Sequence, residues 1–197
     1  TQFAATSNRY SNFTINVTPG KLQITEKPVT LSTGSKSWEY DGSAHSLPDV
    51  TGTDAFYARD GITATASESV QEAGDNKTNA INVVSTAGTG KPGLGNYKIT
   101  KNEGTIRIVK NTDAVIINVI GNNASKEYNG SSQDVSGYTW TATLNGNDVK
   151  SDITLTGPTK GEDTASGTDV GIYTMSMDNT QFAATSNRYS NFTINVT

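Results

Sequence analysis

The chain has 197 residues, a net charge of −4 and a pI near 4.9, and 17% of it is charged, so Thr, Ser, Asn and Gly supply most of its polarity. An acidic chain without a basic stripe excludes nucleic acid as a partner. The longest apolar run, residues 114–120, is too short for membrane insertion, and the lack of Cys excludes disulfides and thiolate metal sites.

Apolar residues alternating with Thr, Lys or Asn predict strands throughout. In chain order these are NFTINV (12–17), KLQIT (21–25), VTLST (29–33), ITATA (62–66), NAINVV (79–84), NYKIT (96–100), GTIRIV (104–109), AVIINVI (114–120), GYTWTATL (137–144) and DITLT (152–156). Pro19-Gly20 and Glu103-Gly104 lie between strand runs and read as hairpin turns. Asp41-Gly42, Asp60-Gly61, Asn129-Gly130 and Asn145-Gly146 are dipeptides of the hairpin type. Two segments, SESVQEAG (67–74) and TQFAATSN (180–187), are weak helix candidates. The expected fold is mainly β: two tandem small β domains, β-grasp-like or sandwich-like, with at most one short helix per unit.

Two periods organise the chain. The string TQFAATSNRYSNFTINVT occurs at Thr1–Thr18 and again at Thr180–Thr197, a spacing of 179 residues. Within it, SWEYDGS and SKEYNGS place Tyr40 and Tyr128 88 residues apart, and NFTINVTPGKLQI (12–24) echoes NYKITKNEGTIRI (96–108). The expected organisation is therefore residues 1–28 as the C-terminal strands of a preceding repeat unit, 29–110 as repeat unit one, and 111–197 as repeat unit two, lacking its last strand. Tyr40 and Tyr128 are expected in equivalent core positions. The joins, TEKPV and VKNTDA, are too short and too poor in Gly and Ser to be loose tethers.

The segments KSWEYDGSAHSL, KEYNGSSQDV, DVGIYTMSM and NYKITKNEGTIRI resemble the tandem MBG/YDG-type modules of large bacterial cell-surface adhesins. The resemblance spans nearly the whole chain. It departs from the family pattern at Asn129, where YDG has Asp, and at EAGDN (72–76) where DVG is expected. It implies a mainly β module repeated along an extracellular stalk on the bacterial cell surface.

Little in the sequence points to catalysis. His45 is the only histidine and reads as an exposed strand-edge residue, so a Ser-His-Asp triad or a two-His metal site has no basis. The GTGKPG string (88–93) matches a dinucleotide fingerprint but is followed by a strand, and reads as a loop. Carboxylates such as Glu68, Glu72, Asp148 and Asp152 read as solvated loop charges, and the acidic stretches 144–152 and 161–169 lack the spacing of an EF-hand. No catalytic residue, metal or cofactor is assigned, and the chain reads as a non-enzyme.

Two functional readings remain. The first is a structural spacer that projects a distal binding domain, its partners being neighbouring repeat units. The second is an adhesive module that itself contacts a host glycan or protein, with Trp38, Tyr57 and Trp140 as the ligand contacts. Residues Thr1 to Lys27 add a further expectation. As orphan strands, they can pair head-to-tail with the incomplete second unit of another chain, with one copy of the duplicated string then packed differently from its twin, or they can fold against unit one of their own chain; the sequence leaves both open.

Overall fold

The computed structural model describes residues 3–86, 93–159 and 161–197. The GTGKPG loop lies outside them except for Gly93. Residues 3–26 carry no strand and are exposed, apart from the intermediate end at Lys27 where the first strand opens. Among the described residues the first repeat carries β1 (Lys27–Thr33), β2 (Lys36–Glu39), β3 (His45–Ser46), β4 (Val50–Thr51), β5 (Ile62–Ala66), β6 (Ser69–Val70), β7 (Asn76–Asn79), β8 (Ile81–Ser85), β9 (Tyr97–Asn102) and β10 (Gly104–Val109). The described residues of the second carry β11 (Asn111–Gly121), β12 (Gln133–Ser136), β13 (Tyr138–Leu144), β14 (Asn147–Asp148), β15 (Thr154–Thr156), β16 (Thr164–Gly167), β17 (Ala183–Thr185) and β18 (Tyr189–Val196).

The architecture is mainly β, in several small sheets. The helical elements among the described residues are short 3₁₀ turns, such as Thr53–Ala55 and Asn179–Gln181. In the first repeat β1 lies between β4 and β9, and β10 lies between β2 and β7. In the second repeat β11 lies between β13 and β18, with β14 at one edge. Every described strand pair stays within one repeat.

The registers carry the repeat more firmly than the sequence does. Val29 pairs with Ile99 in the parallel β1–β9 ladder, and their counterparts Ile117 and Ile194 pair in the parallel β11–β18 ladder. His45 pairs with Val70, and Gln133 with Gly167. The turn after the repeated tyrosine is also duplicated. Asp41 Oδ1 accepts from the Ser43 N–H, and Asn129 Oδ1 accepts from the Ser131 N–H. Gly42 and Gly130 both take positive φ, 80° and 74°.

Residues 12–17 and 21–25, expected as the strands of a preceding unit, form no strand because no neighbouring strand pairs with them, so Pro19-Gly20 is not a hairpin turn. Three further local expectations change. Glu103-Gly104 is not a hairpin: β9 pairs with β1 and β10 with β2, both parallel, so the chain changes sheet here without reversing. The reason is close backbone approach. A Cβ on Gly104 would lie 2.1 Å from the Gly34 carbonyl oxygen, so both strands kink at one level. A polar knot holds the kink. Thr33 Oγ1 accepts from the Gly104 N–H and donates to the Asn79 carbonyl, while buried Asn79 donates Nδ2 to the carbonyls of Gly34 and Leu47.

Neither helix candidate forms a helix. Ser69 and Val70 pair with β3. In the other segment, one 3₁₀ turn capped by Asp178 and Gln181 gives way to β17, which pairs with β15. The third change concerns the tyrosines: Tyr40 is buried while Tyr128 is 65% exposed. Tyr40 is covered by the second repeat, and the described residues give Tyr128 no such cover. By contrast Asn145-Gly146 is a two-residue hairpin turn between β13 and β14, with both residues at positive φ.

The core has two parts. A small cluster of Val29, Leu31, Ile81 and Tyr97 fills the far end of the first repeat. The larger cluster crosses the junction: Tyr40, Val70, Ile106 and Ile108 join Val115, Ile117, Val119, Phe182 and Tyr189 in one contiguous apolar body.

Candidate functional site

The three aromatic residues proposed as ligand contacts lie on separate elements, and each is paired with a lysine. Trp38, on β2, is half-buried; its ring stacks on His45 at 5.1 Å and has Lys36 Nζ 5.0 Å from its centroid. Tyr57, between two 3₁₀ turns, is 57% exposed, with Lys27 Nζ 4.2 Å from its ring. Trp140, on β13, is half-buried under Lys150 Nζ at 4.6 Å, and that ammonium also donates to the Trp140 carbonyl. None of the three lines the large groove of the second repeat or the cleft beside Arg188.

His45 turns Nε2 toward the Asp41 carboxylate, at 3.0 and 3.1 Å. The Ser43 N–H, and then His45, hold the Asp41 carboxyl below the usual range. The first-repeat core also holds a polar contact, in which Tyr97 Oη donates to buried Asp60 and accepts from the Tyr57 N–H. Burial and that acidic neighbour raise the Tyr97 phenol above its ordinary value. Among the described residues no group of three or more His, Cys, Asp or Glu is placed to hold a metal ion. Asp148 accepts from the Lys150 N–H, which closes the turn it sits in.

The most organised polar constellation is at the junction between the repeats. Lys110 alone separates β10 from β11. Main-chain bonds run on both sides of it: the Tyr40 N–H donates to the Val109 carbonyl and the Asn111 N–H to the Arg188 carbonyl. Asn111 Nδ2 donates to the Tyr40 carbonyl, and Thr112 Oγ1 to Glu39. Lys110 Nζ donates to the Ser186 carbonyl.

Arg188 is the centre of this arrangement. Its Nη1 donates to Asp152 Oδ1 at 2.6 Å, while Nε and Nη2 make a forked contact with Glu72 of the first repeat at 3.0–3.2 Å. The same guanidinium sits 5.0 Å from the Tyr40 ring, which meets Tyr189 edge-on at 6.0 Å. Hydrogen bonding to Glu72 raises Arg188 further above its already high value, so the cation persists. Local sequence positions the arginine: Ser186 Oγ accepts from the N–H groups of Arg188 and Tyr189, forming a tight turn before β18. Glu72 and Asp152 are thus not free loop charges, as expected from sequence, but partners joined across the junction. Their separation of 80 residues left no local signal of this.

Compared with protein-family models, curated proteins and solved structures, the chain has no match.

Proposed function

We propose that the chain is a two-unit slice of a structural spacer, the stalk of a bacterial cell-surface adhesin, which holds a distal binding domain away from the cell. The observation that carries this reading is the junction. A single linking residue, an apolar core that continues from one repeat into the next, and an arginine clamped to carboxylates on both sides make a stiff joint. A spacer needs that property, because relative motion of neighbouring domains is the default unless their interface is large and apolar. The duplicated registers support the same reading, since a stalk lengthens by repeating one unit and one interface. The resemblance to MBG/YDG-type modules supplies the cell-surface context.

Small-angle scattering at low protein concentration tests stiffness. The expected result is an elongated particle described by one conformation. A compact globule, or a broad ensemble of inter-repeat angles, would refute the spacer reading. An array of host glycans and matrix proteins tests the rival: specific binding lost on Trp38→Ala, Tyr57→Ala or Trp140→Ala would assign adhesion to the repeats themselves.

A further inference from the structure

We propose that the first repeat is a tension lock: a pull along the chain loads its entering and leaving strands in shear, so that the bonds they share must break together. Such a lock matters only in a chain under tension. It therefore rests on the spacer reading, in which the stalk transmits any pull on its distal domain through the main chain.

The strands that bring the chain into this repeat and take it out lie side by side. The chain enters on β1 and continues through Gly34 and Ser35 into β2; it leaves on β9 and continues through Glu103 into β10. The β1–β9 ladder is parallel, from Lys27 paired with Tyr97 to Ser32 paired with Asn102. The β2–β10 ladder is also parallel, from Lys36 paired with Ile106 to Glu39 paired with Val109. Because both ladders are parallel, entry at Lys27 and exit at Val109 fall at opposite ends of the shared length. Residues 27–39 give that length as about 40 Å of strand.

The two ladders are separated at the kink where Gly34 meets Gly104, and side chains of the entering strand splice them. The Gly104 N–H donates to Thr33 Oγ1 at 3.0 Å, and the Thr105 N–H donates to Ser35 Oγ at 2.9 Å. Both bonds join the entering strand to the leaving one. Past Glu39 the contact continues: the Tyr40 N–H donates to the Val109 carbonyl, Asn111 Nδ2 to the Tyr40 carbonyl and Thr112 Oγ1 to Glu39. The entering strand is thus bonded to the leaving one along its length, from Lys27 to Tyr40.

The direction of the pull decides how these bonds fail. Pulled at Lys27 and Val109, the two strands must slide past each other, and the evenly spaced bonds of a parallel ladder share the load. Pulled at one end, Lys27 against Tyr97, the same ladder opens one bond at a time. Sliding also drags Leu31, Ile106 and Ile108, which are 0%, 0% and 2% exposed, out of close-packed positions. The parallel β11–β18 ladder places the same kind of pairing in the second repeat.

The test is single-molecule force spectroscopy on the intact chain. Since the chain has no Cys, pairs of cysteines at exposed positions fix the pulling points. Glu26→Cys with Lys110→Cys loads the first repeat in shear, and Glu26→Cys with Lys98→Cys pulls on the same ends of β1 and β9. At equal pulling rate the 26–110 rupture force should be about threefold or more the 26–98 force, because forced unfolding is governed by the unfolding barrier and not by stability. Ser35→Ala removes one splice at an exposed position. It should lower the 26–110 force and leave the 26–98 force unchanged, a difference between directions that general destabilisation does not give. Equal forces in the two geometries, or a Ser35→Ala variant that weakens both alike or neither, would overturn the proposal. A first repeat that is weak in shear leaves the stiffness seen by scattering untouched, so the lock and the spacer reading fail separately.

Discussion

Tyr40 and Tyr128 occupy the same turn in the two repeats, yet replacing each by alanine should have very different consequences. Tyr40 is 8% exposed, meets Tyr189 edge-on and lies beneath Arg188. Truncating a buried aromatic costs about 3–5 kcal/mol, and within that range the edge-to-face pair contributes about 1 kcal/mol and the cation–π contact about 0.5–1 kcal/mol. The ring lies at an interface between repeats, so about 3 kcal/mol is the expected loss for Tyr40→Ala. Tyr128 is 65% exposed, and Tyr128→Ala should stay within about 0.5 kcal/mol of wild type. For a chain of this size, 3 kcal/mol corresponds to a fall in Tm of about 6–12 °C. Guanidinium unfolding followed by Trp fluorescence, at concentrations low enough to avoid association, gives both values. Equal losses for the two variants, or none for Tyr40→Ala, would refute the claim that the second repeat, not the turn, fixes Tyr40.

Two further outcomes follow from the same contacts. A double-mutant cycle on Glu72→Ala and Arg188→Ala should return a small favourable coupling, because the pair is forked but partly exposed; zero coupling would show the clamp to be ornamental. Stability should fall in acid. The Ser43 N–H and His45 hold Asp41 low, the N–H groups of Gln71 and Glu72 hold Asp75 low, and the Thr180 hydroxyl and N–H hold Asp178 low. Their stabilisation is complete above the unfolded carboxylate pKa of about 4 and lost as pH falls through the depressed folded values. Burial raises Tyr40, Tyr97 and Tyr189, so a second loss should appear as pH rises above about 10. Urea midpoints across pH should therefore show a neutral plateau with a decline on each side; a midpoint unchanged from neutral pH to about pH 3 would exclude the acid contribution.

Strands from residue 29 onward were legible because half-buried sheets impose a period of two, and β11, with Val115, Ile117 and Val119 fully buried, shows it plainly. What the pattern could not show was partnership. Glu103-Gly104 has the chemistry of a turn, but Gly34 stands against Gly104 from 70 residues away, and this converts a reversal into a kink. Residues 180–187 have helical propensity, but a capped single turn and pairing with β15 override it. The junction was the least legible feature. Arg188, Glu72 and Asp152 are ordinary charges in sequence, and only the approach of two repeats makes them a cluster.

The duplicated string separates local from long-range causes within one molecule. At both ends Ser-Asn-Arg-Tyr folds the same way: Ser7 Oγ accepts from the N–H groups of Arg9 and Tyr10 at 3.2 and 3.3 Å, and Ser186 Oγ from those of Arg188 and Tyr189 at 3.0 and 3.3 Å. Sequence alone dictates that turn. Beyond it the copies part. Tyr189 is 6% exposed and leads into an eight-residue strand, while Tyr10 is 72% exposed and leads into none. The difference is β11, whose main chain and buried Val115, Ile117 and Val119 are available to one copy only. Strand formation here depends on the neighbouring strand, as expected where propensity reflects packing against a partner and a two-strand piece is marginal in water.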